Sequence, residues 1–84
     1  MQSAIVIGNV TATVKHASLD GWRLIVLQPL DIADAADGFP VLAIDNLGVG
    51  KGDRVFFTSD GSSIRDMVGR KDCPVRFAVQ GMMD

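Results

Sequence analysis

The sequence predicts a mainly β fold, a small closed or nearly closed barrel of five strands with one short α-helix. Apolar stretches with the spacing of strands recur along the 84 residues, separated by glycine, proline and Asp-Gly turn signals. All ten acidic residues are Asp, which favours turns and loop ends, and none is Glu, the better helix former. Closing the strands into a barrel hides the edges that otherwise promote aggregation. The length predicts one domain, residues 1–84.

The predicted strands, each bounded by turn residues, cover residues 3–15, 22–29, 40–45, 54–58 and 74–83. An acidic, Ala-rich surface loop at residues 31–38 separates the second strand from the third. A glycine loop at residues 48–52 leads toward the fourth strand. The helix is predicted over residues 64–68, where one of the two preceding serines can cap it and Gly69 ends it.

The first and second strands are unusual because both faces of each are apolar. On the first strand, one face carries the alternate residues from Ala4 to Val14, while the other opens with Ile5 and Ile7. Gly8 marks a bend or bulge in this strand. A small β domain normally has one apolar and one solvated face. We therefore expect a second copy of the chain to cover part of these strands.

The size of the chain also favours association of subunits. A domain this small buries only about 60% of the surface that its unfolded chain exposes, yet 48% of the residues are hydrophobic. Cys73 is the only cysteine and His16 the only histidine, so neither a disulfide nor a metal site is expected to add stability. The candidates for the subunit interface are large apolar residues of the first two strands: Ile5, Ile7, Trp22, Ile25 and Leu27.

Composition argues against nucleic acid and membranes as partners. The formal net charge is −2, whereas neutralising a polyanion needs clustered Lys and Arg. No apolar run approaches the ~20 residues of a membrane-spanning helix. With its single cysteine and no basic start, the sequence predicts a cytoplasmic protein.

The glycine loop does not meet the requirements of a phosphate-binding loop. Asp45 occupies the place of the first P-loop glycine, Gly52 replaces the Ser or Thr that would hold magnesium, and a strand follows instead of a helix. We interpret the loop as a tight backbone passage, with Asp45 and Asp53 bonding their own backbone. The sequence places no catalytic partner near His16 or Cys73. No active site, metal site or cofactor is therefore predicted, and we do not expect an enzyme.

Five segments form a recognisable series: GNVTATVK at residues 8–15, GWRLIVLQP at 21–29, AIDNLGVGKGD at 43–53, GSSIR at 61–65 and the closing strand at 74–84. In this order they resemble the EutN/CcmL family of bacterial microcompartment vertex proteins. The third segment is similar to the family pattern AVDxVGAGxGE, and the fourth to GSSAR. The departures are Val49 for Ala, Asp53 for Glu, Arg76 for a frequent acidic residue, and Met82-Met83 for branched aliphatics.

The resemblance implies a five-stranded OB-like barrel with a short helix that assembles as a homopentamer. Such pentamers cap the vertices of a polyhedral shell built mainly from hexameric tiles, so the tiles are implied partners. Pentagons supply the curvature that a flat sheet of hexagons lacks. The glycine loop, with Gly48, Val49 and Gly50, is our candidate for the region near the ring axis.

Two other classes of function stay open at this point. A barrel of this type can bind single-stranded nucleic acid, which requires a basic groove with interleaved aromatic side chains. The acidic pI of about 5.1 and the absence of Tyr oppose this alternative. A small enzyme or ligand-binding subunit needs a polar pocket, and the sequence offers no set of residues that would form one.

Overall fold

The computed structural model describes residues 2–10, 22–60, 64, 68, 69 and 75–83. Its strands are β1 (Gln2–Val10), β2 (Arg23–Pro29), β3 (Val41–Asp45), β4 (Arg54–Thr58) and β5 (Ala78–Met83). They close into a barrel in the order β1-β2-β3-β5-β4. Only β3 and β5 pair in parallel, and the other four pairs are antiparallel. The predicted five-stranded barrel is confirmed.

The bounds of β3 and β4 agree closely with the sequence pattern, whereas β5 is shorter than predicted. β4 begins and ends as predicted, β3 begins one residue later, and β5 begins at Ala78 instead of residue 74. Ile64 and Val68 are helical, and Gly69 has the left-handed φ of 78° that ends a helix. The predictions for residues 11–21, the serine cap, His16 and Cys73 lie outside the described residues.

A bulge in β1 changes which of its residues face the interior. The register shifts between Val6 and Gly8, so Val6 lies opposite Leu27 but Gly8 lies opposite Val26. Ile7 is the extra residue. Because one added residue reverses the alternation, Gly8 and Val10 lie on the outer face, opposite Val26 and Leu24. The bulge at Gly8 was predicted, but the assignment of Gly8 to the same face as Val6 was wrong.

The interior of the barrel is filled by inward side chains of all five strands and by Val49 of the glycine loop. The buried members of this core are Ala4, Val6, Ile25, Leu27, Ala43, Val49, Val55, Phe57 and Val79. Val41 and Phe77 pack against them, and the rings of Phe57 and Phe77 meet edge to face with centroids 5.9 Å apart. Such a contact adds about 0.5–1.5 kcal/mol beyond area burial.

A second core covers part of the outer face of the barrel. Leu24 and Ile44 lie opposite each other on β2 and β3, on the face away from the interior. Ile64 from the helical segment packs over them, together with Val75 and Ala78. The chain therefore covers the second apolar face of β2 itself at this end. No second copy is needed to cover this end of β2, which sequence periodicity alone cannot show because it does not reveal which distant segment folds back.

Candidate assembly surfaces and the glycine loop

Asp45 anchors the glycine loop at the end of β3. Its carboxylate is buried at 1% exposure and accepts hydrogen bonds from three successive backbone N–H groups. Oδ1 accepts from Leu47 N at 2.8 Å, and Oδ2 accepts from Gly48 N and Val49 N, both at 3.1 Å. An Asp at the start of a turn characteristically satisfies the following backbone in this way. The predicted backbone-bonding role of Asp45 is confirmed.

Arg23, on the neighbouring strand β2, donates hydrogen bonds to Asp45 and to the glycine loop. It lies opposite Asp45 in the β2–β3 register, which brings its guanidinium to 3.1 Å from Asp45 Oδ2. The same Nη1 donates to Val49 O at 2.8 Å, and Nη2 donates to Asn9 Oδ1 at 3.3 Å. The Arg23 side chain remains 45% exposed, so this pair is not a fully buried ion pair. Its effect is to fix the loop against β1 and β2.

The second half of the loop is held by Asp53 and by β1. Asp53 Oδ2 accepts from Gly50 N at 2.8 Å, and Asp53 N donates to Gly50 O at 3.0 Å. Gly52 N donates to Val6 O at 2.8 Å, while Val6 N donates to Asp53 O at 2.9 Å. The loop is therefore tied to β1 where the bulge begins. The predicted role of Asp53 in bonding its own backbone is also confirmed.

The three candidate axial residues differ in their environments. Val49 is fully buried in the interior core, so its side chain cannot line an opening between subunits. Gly48 has a left-handed φ of 81°, which favours glycine whatever surrounds it. Gly50 has no left-handed φ, and a Cβ built there would meet no atom within 4 Å. Nothing in the described part of the subunit requires glycine at residue 50.

The predicted interface residues separate into two groups. Ile25 and Leu27 are at 0% exposure inside the barrel, which removes them from any contact between subunits. This is a correction, and its cause is the closure of the barrel around the inward face of β2. Trp22 is half-buried and packs against the outer core. On β1, Ile5 is half-buried and Ile7 is 41% exposed. Ile5 and Ile7 therefore remain candidates for a surface contact.

Several exposed apolar residues were not among the predicted interface candidates. They are Val10, Ile32, Phe39, Leu42, Leu47, Phe56 and Met82. Ile32 and Phe39 are the most exposed of these, Ile32 fully and Phe39 at 89%. The signal for these two was present in the sequence, since each is a large apolar residue in or beside an otherwise acidic, Ala-rich loop. Leu42 and Phe56 lie on outer faces that the alternation of β3 and β4 predicts.

The mouth of the barrel contains an open cleft of about 460 Å³. Aromatic and aliphatic side chains line much of it, including Phe39, Phe57 and Phe77, with Asp37 and Ser59 as polar members. Within the described residues no group of three His, Cys, Asp or Glu side chains is placed to bind a metal ion. The described part of the chain contains no helix with the length and hydropathy needed to span a bilayer.

Comparison with known proteins identifies the family. The family described as "Ethanolamine utilisation protein EutN/carboxysome" matches residues 1–84. The bacterial microcompartment shell vertex protein EutN of Escherichia coli is 36% identical over 84 residues, which are 100% of this chain and 87% of EutN.

Two solved structures share the fold over the whole chain. The pentameric microcompartment shell protein GrpN of Rhodospirillum rubrum has a TM-score of 0.85 and 33% identity, covering 100% of this chain and 94% of GrpN. CcmL of a Nostoc species has a TM-score of 0.84 and 36% identity, covering 100% and 89%. The full-length match and these whole-chain similarities show that the chain belongs to the EutN/CcmL family.

Proposed function

We propose that this chain is a structural shell protein whose homopentamers cap the vertices of a bacterial microcompartment, within a shell of hexameric tiles in the cytoplasm. The supporting observation is the match of the entire barrel to GrpN, a pentameric shell protein. The chain is not an enzyme and takes no cofactor. Its hexameric neighbours in the shell, and the absence of nucleic-acid and membrane partners, are parts of this proposal.

The mass of the native particle tests the proposal. We expect purified protein to have a mass of five times 8.9 kDa by light scattering coupled to size exclusion. Subunits should remain associated on dilution because a small barrel with exposed apolar residues gains stability from association. A folded particle with the mass of one chain, stable across a range of concentrations, would contradict the proposal.

The charges of the described residues support a structural role over nucleic-acid binding. The described part of the chain contains four Lys or Arg residues, and two of them form ion pairs within the subunit. Arg23 bonds Asp45, and Arg54 forms an ion pair with Asp34 at 2.8 Å. Among the described residues this leaves Lys51 and Arg76, and the formal net charge of the whole chain is −2, which does not favour binding to a polyanion. Binding to a single-stranded oligonucleotide that weakens steeply with salt would favour the alternative function.

In the ring, the glycine loop at residues 48–52 lies near the five-fold axis, where backbones of neighbouring subunits approach. Gly50 supports this placement because the subunit itself has room for a side chain there and no left-handed φ. The hydrogen bonds from Asp45 and Asp53 hold the loop in one conformation before assembly. Ile5 and Ile7 on β1 contribute apolar area to the contact between adjacent subunits.

Changing Gly50 to Leu should therefore affect assembly and leave the subunit intact. We expect the free energy of unfolding of the subunit to change by no more than about 0.5 kcal/mol, as for surface substitutions. The variant should form incomplete rings, or rings with a narrower central opening, as seen by native mass spectrometry and electron microscopy. Asn46→Leu is the control, because it places the same side chain at an exposed position between β3 and the loop. If Gly50→Leu forms rings of unchanged mass with an unchanged central opening, the glycine loop does not lie near the five-fold axis.

A further inference from the structure

The loop between β2 and β3 projects two uncovered apolar side chains. We propose that this loop, residues 31–39 and hereafter the acidic loop, docks on the outer face of β3 in the next subunit of the ring. The proposal rests on the proposed pentamer. A closed ring needs a heterologous contact, in which one patch meets a different patch on the neighbouring copy. The acidic loop and the β3 face supply two such patches.

The acidic loop is held in one conformation by its own hydrogen bonds. Asp31 Oδ1 accepts from Ala33 N at 2.8 Å and from Ala35 N at 3.0 Å, and Asp31 N donates to Ala35 O at 2.8 Å. Asp34 occupies the left-handed region at φ 62°. Gln28 Nε2 fixes the end of the loop by donating to Gly38 O at 3.1 Å. A loop ordered before binding loses little conformational entropy on docking.

This ordered loop presents apolar side chains to solvent. The Ile32 side chain is fully exposed and that of Phe39 nearly so. Backbone N–H groups between these two residues nevertheless form hydrogen bonds within the subunit. A rigid loop that holds a branched aliphatic residue and an aromatic residue outward is typical of an interface anchor. Within the described residues nothing in the subunit covers either side chain. A second copy of the chain is the partner that the ring places beside every subunit.

The receiving surface is the outer face around Leu42, hereafter the β3 face. Leu42 is 39% exposed and lies opposite the half-buried Val26 of β2. On the other side of β3, Ile44 pairs with Ala78 in parallel. Arg76 is exposed two residues before Ala78, and because the two strands are parallel it lies toward the same end of β3 as Leu42. The β3 face is thus apolar with a cation at its edge.

Charge makes the two patches complementary. The acidic loop contains three Asp residues and no Lys or Arg. Asp34 pairs with Arg54, whereas the carboxylate of Asp37 has no partner among the described residues. Arg76 likewise has no hydrogen-bond or ion-pair partner within the described part of the chain. An apolar tip flanked by carboxylates therefore matches an apolar face flanked by a guanidinium.

The part of the acidic loop around Ile32 lies on the β1 and β4 side of the barrel, away from β3. The loop leans toward β1 and β4, because Leu30 N donates to Ser3 O at 3.0 Å and Asp34 bonds Arg54. In the closed order, β1 and β4 are the two strands that do not pair with β3. One subunit can therefore offer its loop to one neighbour and its β3 face to the other. The loop continues the surface that carries Ile5, Ile7 and Phe56.

Engineered disulfides test the pairing directly. In a Cys73→Ser background, the double variant Ile32→Cys with Leu42→Cys should oxidise into a ladder of covalent species reaching five chains in a denaturing gel. Each single variant should stay monomeric in that gel, because a heterologous contact never brings a patch against itself. Native mass, measured before oxidation, shows whether the ring is present.

The outcomes separate the docking proposal from the pentamer. If the double variant forms pentamers but gives no ladder of cross-linked species, the proposed docking of the loop is overturned and the pentamer stands. The acidic loop would then be available to bind a different protein. Cross-linking of either single variant would also overturn it, since it would mean a symmetric contact. Wild-type protein with the mass of one chain would instead overturn the proposed function.

A charge variant gives a second, independent measurement. Arg76→Gln should raise the rate of subunit exchange between differently labelled rings about fivefold at low ionic strength, with little effect at ~1 M salt. Gln80→Glu is the matched control because it lowers the net charge equally at an exposed position of β5 that belongs to neither patch. Equal exchange rates for the two variants and the wild type would contradict the role of Arg76.

Discussion

Replacing Asp45 by Ala should remove on the order of 3 kcal/mol from the free energy of unfolding of the subunit. The carboxylate is buried and accepts three backbone N–H groups and the Arg23 guanidinium. Alanine leaves the buried N–H of Val49 without an acceptor and frees the loop that carries this core residue. Since a core of this size supplies only about 3–5 kcal/mol, most of the protein should unfold at mild temperature. Urea denaturation at a fixed subunit concentration measures the loss.

Two related variants show whether the hydrogen bonds to Asp45 are the cause. Asp45→Asn keeps one acceptor oxygen and should lose less stability than Asp45→Ala. Asp53→Asn should lose about 1 kcal/mol or less, because Asp53 accepts a single backbone hydrogen bond, from Gly50 N. If Asp45→Ala were as stable as Asp53→Asn, the central role of Asp45 in holding the loop would be refuted.

Leu27→Asp and Ile7→Asp should fail in different ways. Leu27 is at 0% exposure in the interior core, so an aspartate there has no solvent and no partner, and we expect insoluble or unfolded protein with a loss of at least about 5 kcal/mol. Ile7 is 41% exposed on the bulge of β1. Its aspartate should stay soluble and folded while weakening the ring, since it adds charge to the apolar contact.

Circular dichroism and native mass together distinguish the two failures. Leu27→Asp should lack the β spectrum, while Ile7→Asp should keep it and have a mass below five chains. Ile7→Ser provides a milder control, which removes apolar area without adding a charge. A soluble, folded Leu27→Asp would mean that β2 faces the other way, and a full ring from Ile7→Asp would remove Ile7 from the interface.

The barrel could be predicted from the sequence because each strand carries a local signal. β4 is bounded by the glycine loop and the polar residues after Thr58, and its limits agree with the prediction. The backbone-bonding roles of Asp45 and Asp53 were predictable for the same reason, since both act within a few residues of their own position. The resemblance to the EutN/CcmL family added the fold type and the pentamer, which no local pattern contains.

Other features depended on contacts between residues far apart in the chain. Ile25 and Leu27 resemble interface residues in the sequence, yet the closed barrel buries them. The apolar character of a side chain predicts that it avoids water, but it does not predict which part of the protein covers it. Arg23 reaches Asp45 and Asn9 across neighbouring strands, and only the register brings these three residues together.

The sequence by itself determined the strands, the turns, the bulge at Gly8 and the excess of apolar residues, because these follow from neighbours along the chain. The tertiary structure decided which apolar residues stay exposed. The bulge reversed the alternation after Val6, and Ile64 covered the outer face near Leu24. Ile7, Ile32 and Leu42 remain exposed because the closed barrel does not bury all of the apolar surface of the chain. Which side chains stay exposed is decided only when the barrel closes.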